Sequence, residues 1–271
     1  MNKGLLRCQG EIINWLNVDD FYEADSLFKV AHFFNEHPDV QVLCGRCRVV
    51  NEHKELSHIT QGTDIYPHNL EKTIGWARTD QPATFYRKEA VLQMGDLDKD
   101  LHYLMDRDWW IKYLHLYGLK PVQKTPDILV NFRLHPASKT VSKIKEFQKD
   151  RDTYYYAFAC LHQLPEYSEF LKKYSQLNAQ YQIKNLSRFK TSQAHKILNY
   201  YLLLRSDELY AQNDKKKAQL YLDIIKAQLL GKEDQKLWRK IYFRNKYLPQ
   251  LLIRFLREVK SVLNRIAGFG K

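Results

Sequence analysis

Strand signals alternate with helix signals up to about Asp150, and beyond that point the strand signals largely stop. This switch constrains the fold more than any other feature of the chain. In the first stretch, "GEIINWLNV" (10–18) and "DVQVLCGRCRVVNEH" (39–53) read as strands, rich in Val and Ile and bounded by turn formers. Between them "DSLFKVAHFFNEHP" places Leu27, Val30, Ala31 and Phe34 at helical spacing, with Pro38 as the stop. "QPATFYRKEAVLQMGDLD" predicts a short strand and a helix ending near Gly95. "MDRDWWIKYLHLYG" predicts a helix closed by Gly118, and "KPVQKTPDILVNFRLH" predicts strand again. Such alternation indicates α/β layers.

Beyond 150, "TYYYAFACLHQL", "YLLLRSDELYAQNDKKKAQLYLDIIKAQLLG" and "LPQLLIRFLREVKSVLNRIAGF" all show helical periodicity. The middle segment reads as a helical hairpin turning at "AQNDKKK", too little to establish a repeat array. The expected division is an α/β part over 1–148 and a helical, basic region over 149–271.

Charge follows the same division. The chain carries a net +12, yet residues 1–150 hold 20 basic and 21 acidic side chains, against 23 and 10 in 151–271. A basic appendage of this kind suits phosphates or an anionic membrane surface. Its last segment is a basic amphipathic helix. Leu252, Phe255, Leu256, Val259, Leu263 and Ile266 form one stripe, and Arg254, Arg257, Lys260 and Arg265 lie mostly off it. Such a stripe either packs on a core or docks on a membrane. No apolar run reaches the roughly 18 residues of a transmembrane span, and the N-terminus lacks a signal-peptide core. The expectation is a cytoplasmic protein, peripheral at most at the inner face of the membrane. No nucleic-acid module is readable, so no nucleic-acid partner is expected.

Cys44 and Cys47 form a C-x-x-C without the second pair a zinc site needs, and they fall in an alternating Val-rich run. They read as strand residues.

The chemistry-bearing residues are acids. Asp19 and Asp20 end the first strand signal; paired carboxylates there suit Mg²⁺ or Mn²⁺ carrying a diphosphate. A helix cap by Asp20 or Asp25 is the competing reading. Asp106 and Asp108 open a predicted helix, where the dipole favours acids, and two acids two apart point in different directions, so at most one faces a site. "FRLHPASKT" groups Arg133, His135, Ser138 and Lys139 after a strand. The cluster suits either a phosphate-bearing ligand or an ordinary polar loop.

In order, "CQGEIINWLNVDD", "QPATFYRKEA", "LMDRDWWIKYL" and "FRLHPASKTVS" resemble the family-two, inverting nucleotide-sugar glycosyltransferases of the GT-A type. The resemblance covers about residues 1–145 and implies the C-terminal portion of a GT-A, Rossmann-like domain followed by an all-helical tail. It implies that "NVDD" is a D-x-D-like metal motif, with Asn17 at the place of the first acid and Asp19, beside Asp20, as metal ligand. It makes Asp106 the general base, with Asp108 its neighbour. Gln81 and Pro82 would line the sugar or acceptor pocket, and Arg133, His135 and Ser138 would lie near the diphosphate or metal. The implied partners are a nucleotide-sugar and an acceptor glycan or glycolipid, as in polysaccharide assembly. In this family, strand–helix units that hold the nucleoside precede the text corresponding to Met1–Gly4. The resemblance therefore implies a start-site error, a truncated and inactive product, or a partner chain supplying the missing part. A reading from another class is a non-catalytic scaffold that uses the basic tail on a membrane surface or a partner.

Overall fold

A computed structural model of the chain describes residues 1–76 and 78–248; the basic stripe of 252–266 lies outside them. In chain order the elements are α1 (Asn2–Leu5), β1 (Ile12–Ile13), β2 (Phe21–Tyr22), α2 (Ser26–Glu36), β3 (Val42–Val50), β4 (Leu56–Ile59), α3 (Leu70–Gly75), β5 (Thr84–Arg87), α4 (Lys88–Met94), α5 (Met105–Tyr117) and β6 (Val122–Arg133). Helices α6 (Lys139–Ser142), α7 (Ile144–Leu161), α8 (Pro165–Tyr174), α9 (Thr191–Ala211), α10 (Lys215–Asp223) and α11 (Lys232–Tyr247) follow. The chain packs as two units that divide at Ile197–Leu198, within α9.

The six strands form one mixed sheet in the order β1-β5-β3-β6-β2, with β4 on the end of β3. Central β3 runs antiparallel to β5 and parallel to β6. Its first half, Val42–Gly45, is buried on both faces, and from Arg46 burial alternates, with half-buried Arg46 and Arg48 between buried Cys47 and Val49. A Cβ on Gly45 would collide with the Leu129 side chain, so glycine is what lets β3 and β6 close at that point.

Alternation along β5 sends Phe85 to one sheet face and Tyr86 to the other. On the Phe85 side, α2 lays Val30 and Phe34 against Leu43, Leu129 and Val130. The apolar face of α2 is narrower than its periodicity predicts, because Leu27 and Ala31 are exposed. On the Tyr86 side, Trp109 of α5 meets Tyr86 at a ring separation of 5.8 Å and Trp15 at 5.1 Å. Trp109, Trp110 and Tyr113 are fully buried, and side chains of this size dominate the energetics of such a layer. Helices α4 and α5 end where expected, at Gly95 (φ 73°) and Gly118 (φ 68°), in the left-handed region that glycine enters without a steric penalty.

The first strand is shorter than its sequence predicts. Pairing to β5 extends only over Ile12 and Ile13. From Asn14 the backbone leaves the ladder, because the Asn14 side-chain amide donates to the carbonyls of Pro82 (3.0 Å) and Thr84 (2.8 Å). The Asn14 amide oxygen accepts from Tyr22 Oη at 2.8 Å. One side chain thus fixes the course of the segment that carries the acids.

After β6 the described chain is helical. In the first unit α7 buries Tyr154, Tyr155 and Phe158, and α8 buries Tyr167 and Leu171. In the second unit the α9–α10 hairpin turns at the "AQND" segment, with Asn213 at φ 68° and the Asp214 carboxylate accepting the Lys217 N–H at 3.0 Å. Tyr200 Oη donates to Asp234 (2.9 Å), and Arg244 pairs with Asp207 at 2.7 Å. Among the described residues no helix is long and apolar enough to cross a membrane.

Candidate active site

The segment 14–20 is wired to its surroundings residue by residue. Trp15 C=O accepts from Gln81 Nε2 at 2.6 Å, which fixes Gln81 and Pro82 beside it. Asn17 C=O accepts the Asp20 N–H (3.1 Å), and the Asn17 side-chain amide donates to Asp20 Oδ2, also at 3.1 Å. Asp20 Oδ1 then accepts the backbone N–H of Arg133, across 113 positions of sequence, at 3.0 Å. Asp20 is buried, and burial pushes its carboxyl above the usual aspartate range against the pull of those hydrogen bonds. It ties this turn to the end of β6 and caps no helix. Asp25, the other candidate cap, sits before α2 at φ 61° without a side-chain capping bond.

Asp19 differs from its neighbour. It is half exposed, and its Oδ2 lies 3.1 Å from His135 Nε2. His135 is held by the turn after β6, where Ser138 Oγ accepts the His135 N–H at 3.0 Å and Ser138 N–H donates to His135 C=O at 2.8 Å. Arg133 places its guanidinium over the Phe21 ring at 5.6 Å, and its Nε has no hydrogen-bond partner among the described residues.

Between the two segments that bear Asp19 and His135 and the start of α5 lies a cavity of about 630 Å³. Asn17, Trp15, Gln81 and Pro82 wall one part, Phe132, Leu134, Lys139 and Thr140 another, and Asp106 with Met105 and Tyr103 a third. Its size and its mainly apolar lining with a few polar groups are those of a small-ligand site. Asp106 is largely enclosed, which raises its carboxyl above the usual range, while the Arg107 N–H it accepts at 2.8 Å works in the opposite sense.

Asp108, two residues on, does not reach the cavity. It is fully buried and paired with Lys112, itself almost fully buried, at 2.6 Å. Burial pushes the Asp108 carboxyl up to about 6 despite that partner. The structure therefore brings Asp106, Asn17, Gln81 and Pro82 to one cavity and groups Asp19, Asp20, Arg133, His135 and Ser138 beside it.

Sequence reasoning passes over Asp80. It walls the same cavity, its Oδ2 has no hydrogen-bond partner among the described residues, and burial raises its carboxyl. It stands one residue ahead of "QPATF", so adjacency to a motif is the available signal. Cys47 also reaches the wall. Burial pushes the Cys44 thiol up to about 12 and that of Cys47 further still, so neither is a thiolate near neutrality and the C-x-x-C is ordinary strand.

Among the described residues no group of three or more His, Cys, Asp or Glu side chains gathers as a metal site. Asp20 has both oxygens engaged by the Asn17 amide and the Arg133 N–H. The donors left on the partly exposed edge are the Asp19 carboxylate, of the kind a hard divalent ion takes, and the His135 imidazole 3.1 Å from it, a softer donor. Two protein donors leave positions for ligand oxygens.

No family model matches the sequence, and no curated protein matches it. Among solved structures, a crystal structure of S. aureus TarS superposes with a TM-score of 0.45 at 14% identity, over 90% of this chain and 40% of that one. A shorter form, TarS 1–349, gives the same TM-score and identity over 90% and 66% of the respective chains. The chain thus spans less than two thirds of either.

Proposed function

We propose that the chain is a glycosyltransferase of the inverting, GT-A type, which moves a sugar from a nucleotide-sugar to an acceptor hydroxyl. The observation that carries this reading is the enclosed Asp106 carboxylate on a cavity whose other wall holds Asn17, Gln81 and Pro82. All four sequence motifs thereby meet in one space, the fourth through Phe132, Leu134, Lys139 and Thr140, and the fourth also supplies His135 beside Asp19.

In this reading Asp106 accepts the proton of the acceptor hydroxyl as its oxygen attacks the anomeric carbon. The new carbon–oxygen bond forms as the bond to the diphosphate oxygen breaks, and that electron pair leaves with the nucleoside diphosphate. Enclosure keeps Asp106 a better base than a solvated aspartate, because its raised pKa strengthens its hold on the incoming proton. Asp19 and His135 would hold a Mg²⁺ or Mn²⁺ ion, which when bound offsets the negative charge developing on the leaving diphosphate. Arg133, whose Nε has no hydrogen-bond partner among the described residues, and Lys139 stand on the same segment and add positive charge there. Asp20 keeps Asp19 in place and touches no reacting atom.

The test is release of nucleoside diphosphate by the full chain from a panel of nucleotide-sugars with Mg²⁺ or Mn²⁺. The reading expects at least one donor to turn over. Failure of every donor to bind or turn over refutes it.

A further inference from the structure

A second cavity, of about 530 Å³, is walled by Asp100, His102, Asn178, Gln180, Tyr181, Gln182, Ile183 and Lys184. His102 belongs to the walls of both cavities, so the segment Asp100–Tyr103 is the partition between them. That partition is held from behind, where Tyr103 N–H donates to Asp150 at 2.9 Å and the Tyr103 ring packs on Phe147 at 5.1 Å. The opposite wall is equally fixed. Asn178 N–H donates to Thr153 Oγ1 at 2.9 Å, the Gln180 N–H donates to Asn178 Oδ1 at 3.0 Å, and Tyr181 Oη donates to Asp98 at 3.0 Å. This wall lies in the helical part of the first unit, beyond the stretch whose motifs carry the glycosyl-transfer reading.

We propose that the second cavity is an extension subsite, binding the units of a neutral, linear acceptor glycan that lie behind the one whose hydroxyl reacts near Asp106. The inference rests on the glycosyl-transfer reading of the first cavity. Its chemistry follows from what the wall offers. Gln180 and Gln182 are exposed amides on a pinned backbone, each able to donate and accept, which is what vicinal hydroxyls require. A polyanionic chain is disfavoured, because the lysine of this wall, Lys184, is bound by Asp100 at 2.5 Å and by Asp98 at 3.4 Å. With that lysine neutralised, the cavity offers hydrogen bonds without net positive charge. Two adjoining cavities with rigid walls favour a chain over a single sugar, since the second contact then forms at high effective concentration.

The test is binding of the full chain to immobilised neutral oligosaccharides, graded from monosaccharide to hexasaccharide, beside polyol-phosphate oligomers of matched lengths. The expected result is neutral-glycan affinity that rises with length, about tenfold across the ladder for two added hydrogen bonds. In the Gln180→Ala/Gln182→Ala variant that gain is lost, while monosaccharide binding and nucleoside diphosphate release stay unchanged. Equal affinity at all lengths, binding of no glycan, preference for the phosphate oligomers, or an unaltered ladder in the double variant each overturns the inference. The two failures are distinguishable. Donor turnover with a flat ladder defeats only the subsite, and a rising ladder without turnover of any donor defeats the transferase reading and with it the acceptor role, leaving a glycan-binding cavity.

Discussion

Replacing Lys112 by Met leaves the Asp108 carboxyl in place, fully buried and without its countercharge. Removing one partner of a buried pair costs about 3–5 kcal/mol, since the remaining charge has neither water nor a counter-ion. Among the described residues Asp108 Oδ1 has no close hydrogen-bond partner, and the neighbouring Tyr154 hydroxyl is neutral and replaces no countercharge. The pH dependence has a definite sign. The folded-state pKa of Asp108 stands above its unfolded value, at about 6 against 3.8. The folded chain therefore holds its proton more tightly, and the contribution of this group to stability falls as pH rises from about 4 to about 6, then levels off. Without Lys112 the folded-state value climbs higher, which widens that window. In the wild type below pH 6 it is Lys112 that becomes the unpaired charge. The Lys112→Met deficit is therefore largest near pH 7.5 and shrinks on acidification towards pH 5. Urea unfolding at the two pH values measures it, and Asp108→Asn/Lys112→Met completes a double-mutant cycle whose coupling should exceed about 1 kcal/mol. A single variant as stable as the wild type at pH 7.5, or a deficit that grows on acidification, would refute the reasoning.

Substituting Asp20 by Ala removes the acceptor for the Arg133 N–H and the Asn17 amide, with an expected loss of about 1–3 kcal/mol in denaturant unfolding. Asp19→Ala exposes no such donor and should unfold within about 0.5 kcal/mol of the wild type. His135→Ala should weaken Mn²⁺ binding, measured calorimetrically with a nucleoside diphosphate present, by about tenfold or more; unchanged affinity would remove His135 from the ion site. Of the four thiols, exposed Cys160 and half-buried Cys8 should react with an aromatic disulfide reagent in the folded chain at neutral pH. Cys44 and Cys47 should react only after unfolding.

The elements set by local periodicity are legible in the sequence. Strands β3 and β6 and helices α4 and α5 follow their apolar pattern and their terminal glycines, and the α9–α10 hairpin follows its Asn-Asp turn. The elements decided by distant partners are not. Nothing local shows that Asn14 abandons the ladder for the carbonyls of Pro82 and Thr84, so the apolar pattern predicts too long a first strand. The two acid pairs show the same limit. Helix geometry states that Asp106 and Asp108 face apart, but which of them meets the cavity depends on Lys112 and on the layer around Trp109. Asp19 and Asp20 are chemically identical in sequence, and it is the backbone of Arg133, 113 positions on at the end of the neighbouring strand β6, that takes one of them inward. Asp80 carries no signal of its own, because its importance comes only from the wall it joins.

The central claim is that Asp106 removes the acceptor proton. The measurement that tests it most directly is the single-turnover transfer rate of Asp106→Asn, at saturating donor and acceptor, beside donor affinity in the same variant. The claim predicts a rate lower by about 10²–10⁴-fold with donor affinity unchanged, and a wild-type rate that rises with pH as the enclosed carboxyl loses its proton. A variant that transfers as fast as the wild type would contradict it.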